Sequence, residues 1–181
     1  MKILFWGTPE FAIPSLRAVR AEGHHIVGVV TRPDRPAGRS RQARPSAVKM
    51  EASESNIRIL EPELPSGADF LEEIRALSPD LSVVVAYGRI LKREVLDVPA
   101  DGSINLHASL LPTLRGAAPI NWSIARGDTL SGVTIIRMVE KMDAGPILFQ
   151  IEVPIDSDET AIKLGTRLSE IGAIALVKTL T

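Results

Sequence analysis

Asn105 and His107 stand two residues apart in the run Asn105-Leu-His107-Ala-Ser109-Leu-Leu-Pro112, at the end of a stretch that otherwise reads as a buried strand. A strand sends residues i and i+2 to the same face, so the amide and the imidazole point together while Ile104 and Leu106 point the other way. A carboxylate, Asp143, follows in the turn Asp143-Ala-Gly145 between two apolar runs. An amide aimed at a developing oxyanion, an imidazole that moves a proton and an acid that orients it suit an acyl carbon attacked by a nucleophile from outside the protein. Two plainer readings stand beside this one: His107 as a core histidine satisfied by a backbone carbonyl, and Asp143 as an ordinary turn residue. Ser109 is a nucleophile in principle, but the G-x-S-x-G elbow of a Ser-His-Asp hydrolase is missing. His24 and His25 precede a strand and read as solvent-facing connector residues.

Composition narrows the setting. The 181 residues are 45% hydrophobic and 24% charged, enough for one sizeable core, so a single α/β domain over 1–181 is expected. A net charge of -1 creates no overall field toward nucleic acid, and any such contact must be local. The absence of cysteine excludes disulfides, thiolate zinc sites and a cysteine nucleophile, and agrees with a reducing, cytoplasmic setting. The opening apolar run is too short for a signal peptide, and no run is long enough to span a bilayer, so no membrane partner is expected.

The elements that must hold these groups are legible as apolar runs. Ile3 to Trp6, Ile26 to Val30 and Leu81 to Ala86 are short, rich in β-branched residues and without polar alternation, as in parallel strands covered by helices on both faces. A helix from about Glu10 to Ala21, with Pro14 in its first turn and Gly23 past its end, makes the first βαβ unit. Further helices are predicted over Ser46 to Ser55, Ala68 to Leu77 and Ala118 to Arg126. Gly102 to His107 reads as a strand, and Gly132 to Val139 with Ile147 to Val153 as a pair of strands around the Asp143 turn. Ala161, Leu164, Leu168, Ile171 and Ala175 form the stripe of a terminal amphipathic helix, with Ser157 or Asp158 as its N-cap.

Two loops bear on ligands. Gly7-Thr-Pro-Glu-Phe11 follows the first strand where a dinucleotide-binding protein carries G-x-G-x-x-G; Pro9 and Glu10 replace the glycines, which disfavours a nicotinamide cofactor. A tight strand-to-helix turn is the plainer reading of that segment. The stretch from Arg32 to Arg44 carries Arg32, Arg35, Arg39, Arg41 and Arg44 against Asp34 alone, with no apolar side chain larger than alanine or proline. It is expected to stand out as a mobile loop, either a solvated face or a contact for a phosphate-rich partner.

Taken together, these residues resemble the folate-dependent formyltransferases over the whole chain. The resemblance rests on Gly7-Thr8-Pro9-Glu10-Phe11, Arg32-Pro-Asp-Arg-Pro-Ala-Gly38-Arg39, Val84-Val-Ala-Tyr-Gly88, Asn105-Leu-His107-Ala-Ser-Leu-Leu-Pro112, Arg115-Gly-Ala-Ala-Pro-Ile120, Gly132-Val-Thr134 and Asp143-Ala-Gly145. The second and fifth of these narrow it to the branch acting on tRNA. The resemblance implies a Rossmann-like domain with a mostly parallel sheet, helices on both faces, and transfer of a formyl group from 10-formyltetrahydrofolate to the amino group of methionyl-tRNA. It places Asn105, His107 and Asp143 at the catalytic positions and Ser109, Leu110, Leu111 and Pro112 at the folate site with Tyr87, Gly88, Ile90 and Leu91. Arg39, with Arg35 and Arg41, would grip the tRNA acceptor end. No metal, nicotinamide or flavin is implied, and a monomer is expected. Family members continue into a smaller tRNA-binding β-barrel domain that these residues do not include. Transfer to a small amine such as an amino sugar or nucleotide, hydrolysis of the formylfolate, and folate or RNA binding without turnover are the alternatives.

Overall fold

The computed structural model describes residues 1–37 and 42–181, and side chains outside 35–43. Its strands are β1 (Lys2–Gly7), β2 (His25–Val30), β3 (Arg35–Ala37), β4 (Gln42–Arg44), β5 (Ile59–Leu60), β6 (Leu81–Val85), β7 (Ser103–His107), β8 (Leu130–Arg137) and β9 (Ile147–Pro154). Its helices are α1 (Ile13–Ala21), α2 (Ala47–Glu54), α3 (Ala68–Ala76), α4 (Arg93–Leu96), α5 (Pro119–Arg126) and α6 (Ala161–Leu180), with a 3-10 turn over Glu10–Ala12 before α1. Seven strands form one sheet in the order β5-β2-β1-β6-β7-β8-β9. The five from β5 to β7 are parallel, and β8 runs antiparallel between β7 and β9.

The sheet is covered on both faces, which is why its central strands lack polar alternation. On one face Ile3, Phe5, Val83, Val85, Ile104 and Leu106 pack against Leu16 and Val19 of α1 and Leu164, Leu168 and Leu176 of α6. Gly172 lets α6 lie close on β7, since a Cβ there would come 2.6 Å from Leu106 Cδ1. On the other face Leu4, Trp6 and Val84 pack against Phe70, Leu71 and Ile74 of α3 and Val95 and Leu96 of α4. Trp6 anchors that layer: its indole donates to Ser82 Oγ at 3.1 Å, and its ring meets those of Tyr87 and Phe70 edge-on.

Three local expectations are corrected. The N-cap of α6 is Thr160, whose hydroxyl accepts from Lys163 N at 3.3 Å; Ser157 and Asp158 lie earlier, in a turn closed by Glu159 N on Asp156 O. The predicted first helix opens as a 3-10 turn because Pro9 and Pro14 bracket it. The ends of the arginine-rich stretch pair as the antiparallel strands β3 and β4 where a loop was expected: backbone pairing needs no apolar side chains, so composition gave no sign of it. Arg39 and Arg41 lie outside the described residues, as does the side chain of Arg35.

Candidate active site

Strand order reverses between β1 and β6, and in an open parallel sheet the crevice at the carboxyl ends of strands beside such a switch point receives ligands. The crevice is held shut at its base by Thr8, whose hydroxyl donates to the Tyr87 carbonyl at 2.9 Å. Beside it opens a cavity of about 330 Å³. Its walls are the segment 86–91 after β6, the end of β7, the loop 138–143 after β8 and the Gly116-Ala117 backbone. The α3 and α4 layer packs on Val84, and Asn105, His107 and Ile136, on the same face of β7 and β8, line this cavity together with Val84. The size and the apolar lining from Ile90, Leu91, Ile136 and Met138 suit a planar organic ligand with a few polar anchors.

Within that cavity the amide and the imidazole project together, as their spacing requires. Val84 pairs with Asn105 and Asn105 with Ile136, while His107 pairs with Thr134. His107 is buried, and its Nε2 lies 2.9 Å from the carbonyl oxygen of Leu114. Its Nδ1 lies 3.7 Å from Asp143 Oδ2, which accepts a hydrogen bond from Gly116 N at 2.8 Å. Each ring nitrogen therefore meets an oxygen. The Leu114 carbonyl can only accept, so Nε2 carries a proton, while Nδ1 faces the carboxylate at a distance too long for a hydrogen bond. The carboxylate does two things at once: it tethers the Gly116 wall and places a negative charge against the ring.

The backbone around the cavity is held in unusual conformations. Ala86, Leu114, Ala118 and Asp143 all have positive φ, between 47° and 56°, and Gly88 and Gly116 have φ of 82° and 88°. Left-handed backbone costs a non-glycine residue roughly 1–2 kcal/mol, so its concentration at one cleft marks a site whose geometry is imposed by the surrounding fold. Gly145 makes the Asp143 turn possible, because any Cβ there would run into the carbonyl oxygen of Arg137.

The remaining expected residues divide. Tyr87, Gly88, Ile90 and Leu91 line the cavity. Tyr87 is fully buried, burial raises the pKa of its phenol, and its hydroxyl has no partner among the described residues. Ser109, Leu110, Leu111 and Pro112 do not line this cavity. Ser109 and Leu110 face a second one, of about 390 Å³, on the far side of the 107–116 segment. The Ser109 hydroxyl donates to Thr113 O at 2.6 Å, Leu111 is buried, and Pro112 is exposed. Sequence reasoning did not single out Met138, Val139 and Met142 as cavity residues, nor the Leu114 carbonyl. The first three read as strand or turn, and a backbone acceptor carries no side-chain signal. Among the described residues no group of His, Asp and Glu is arranged to hold a metal ion, and no helix is long and apolar enough to cross a membrane.

The chain is 47% identical over 180 residues to the methionyl-tRNA formyltransferase of Moorella thermoacetica, and 49% identical over 179 residues to that of Bacillus cytotoxicus. Each alignment covers 99% of this chain but only 58% and 57% of the relative, so the chain spans a little over half the length of these proteins. The fold matches that of phosphoribosylglycinamide formyltransferase from Bacillus halodurans with a TM-score of 0.82 at 19% identity, covering 100% of this chain and 96% of that one. It also matches a formyltetrahydrofolate deformylase from Pseudomonas syringae pv. tomato with a TM-score of 0.76 at 21% identity, covering 99% and 60%. The formyl transferase family model matches residues 1–180, and with an amide, an imidazole and a carboxylate gathered at one cleft of this fold, the chain belongs to the formyl transferase family.

Proposed function

We propose that these residues form the catalytic domain of a folate-dependent formyltransferase that moves the formyl group of 10-formyltetrahydrofolate to the amino group of methionyl-tRNA. The observation that carries this reading is the position of His107: buried, with Nε2 hydrogen-bonded to a carbonyl and Nδ1 facing a carboxylate, beside Asn105 at an apolar cavity of ligand size. The names of the relatives that share almost the whole chain support the choice of donor and acceptor.

The residues suit the chemistry in the following way. The substrate amine attacks the formyl carbon, so the protein needs no nucleophile. As the new C–N bond forms, the carbonyl oxygen becomes an oxyanion, which the Asn105 amide and the His107 Nδ1–H, the ring position not tied up by a hydrogen bond, stabilise. The ring then gives its proton to N10 of the folate as the old C–N bond breaks, and takes up the proton that the attacking nitrogen must lose. Asp143 faces Nδ1 and orients the ring. The cavity lined by Tyr87, Gly88, Ile90 and Leu91 takes the folate, with the backbone of Ser109 to Pro112 behind its wall. The arginines between Arg32 and Arg44, with Arg35, Arg39 and Arg41 at their centre, contact the phosphates of the acceptor end. The working unit is a cytoplasmic monomer.

Incubating the protein with 10-formyltetrahydrofolate and, separately, methionyl-tRNA, amino sugars, aminonucleotides or water tests the proposal. Loss of formylfolate that depends on methionyl-tRNA is expected. Loss in water alone would make the protein a hydrolase, loss with a small amine would change the acceptor, and no loss would reject turnover. His107→Ala is expected to lose about 100-fold or more in rate while still binding folate.

A further inference from the structure

The Gly132-Val-Thr134 motif lies outside the cavity, and nothing in the mechanism above uses it. Thr134 is fully buried and sits between His107 on β7 and Gln150 on β9, opposite both in register, so the three residues form one rung across the sheet. Its hydroxyl donates to Ser109 O at 2.6 Å and accepts from Leu111 N at 3.1 Å and Gln150 Nε2 at 2.8 Å. That uses its single donor and both acceptor lone pairs. Gln150 Nε2 also donates to Leu111 O at 3.1 Å. Two residues before Thr134 on the same face, Gly132 leaves room for Leu110 to lie directly on the β8 backbone; a Cβ there would come 2.5 Å from Leu110 Cδ2. Gly132, Thr134 and Gln150 together make a strip on which the segment 109–111 is docked by three backbone groups and one side chain.

That segment leads straight to the ring. The Ser109 hydroxyl closes it on Thr113 O at 2.6 Å, and the next carbonyl, from Leu114 in left-handed backbone, is the partner of His107 Nε2. The position of the Leu114 oxygen is therefore set by how 109–113 is seated. We propose that Thr134, assisted by Gln150, is a positioning residue for His107: it fixes the wall whose Leu114 carbonyl holds the Nε2 proton. The functional part of this rests on the His107 role proposed above; the structural part does not.

Two measurements separate them. Thr134→Val keeps the branched shape but leaves Ser109 O without its donor and Leu111 N without its acceptor. The 15N chemical shift of His107 Nε2, read at one pH in the 181-residue chain, is expected to move, because the proton there loses its fixed acceptor. In the formyl-transfer assay kcat is expected to fall about 10- to 100-fold with the KM for the formyl donor changed less than about 3-fold, the pattern of a misplaced catalytic group. Thr134→Ser, which restores the hydroxyl, is expected to recover most of both signals. Gln150→Leu, on the exposed edge strand, is expected to give the same changes at reduced size. If Thr134→Val does not fold, Gln150→Leu decides. A folded variant with wild-type Nε2 shift and kcat overturns the proposal. If the unmodified chain transfers no formyl group, the function proposed for His107 fails and the Nε2 shift alone decides the positioning.

Discussion

Asp143→Asn separates the two tasks of the carboxylate. Asparagine tolerates the positive φ of 47° at this position, and its side-chain carbonyl can still accept from Gly116 N. Only the charge facing His107 Nδ1 across 3.7 Å is lost. The two side chains are 8% and 13% exposed, so bulk water screens that charge poorly. A unit pair about 4 Å apart is worth about 4 kcal/mol at an effective dielectric constant of about 20, before desolvation is counted. Wholly expressed in the transition state, that would be about three orders of magnitude in rate. Because part of it is already realised in the ground state, a fall in kcat of about 100-fold is expected. Folding stability should drop by only about 1 kcal/mol, as a charge-assisted hydrogen bond becomes a neutral one. Asp143→Ala loses that bond altogether and is expected to cost about 1.5–3 kcal/mol in addition to the rate. The assay is formyl transfer from 10-formyltetrahydrofolate at one pH, with urea unfolding of each variant. An Asp143→Asn protein within about 3-fold of the wild-type kcat would refute the reasoning and make Asp143 a turn residue only.

Other variants probe how the fold supports the site. Gly145→Ala must push the Asp143 turn away from the Arg137 carbonyl; a displacement of about 1 Å at a catalytic group costs on the order of 100-fold, so kcat should fall with folate binding largely kept, checked by titration with the folate product. Ser82→Ala strands the buried Trp6 indole N–H and should destabilise the protein by about 1–3 kcal/mol in urea unfolding. Tyr87→Phe removes a buried hydroxyl that has no partner among the described residues, so Tm should be unchanged or higher, and any loss of folate affinity then reports a contact with ligand. Glu51 is held below the ordinary carboxylate range by its hydrogen bond and charge interaction with Arg17, against the opposing effect of burial, so it contributes stability present above its unfolded pKa and lost as pH falls through the lower folded value. Glu51→Gln should therefore lower the urea midpoint at neutral pH, with the difference closing on acidification.

The order of elements and the pairing of Asn105 with His107 could be read from the chain because both follow from local rules. Uninterrupted β-branched runs declare strands covered on both faces, and a period of two places alternate residues of one strand on one side. The same rules failed where local signal was thin. The strands β3 and β4 pair in a segment of arginines without an apolar run, and α4 is a single turn. Ser157 and Asp158 are as good cap formers as Thr160, and only the packing of the helix stripe on the sheet selects between them. What the tertiary structure alone decided is distance. His107 and Asp143 are 36 positions apart in sequence, yet β8 returning beside β7 and a turn that admits no side chain at Gly145 bring the carboxylate to 3.7 Å from the ring. The partner at Nε2 is a main-chain oxygen, which every residue possesses and no sequence can mark. Residue types set which chemistry the chain can support, while the three-dimensional path of the backbone sets which atoms meet, since hydrogen bonds and charge interactions act over a few ångströms of space and not along the chain.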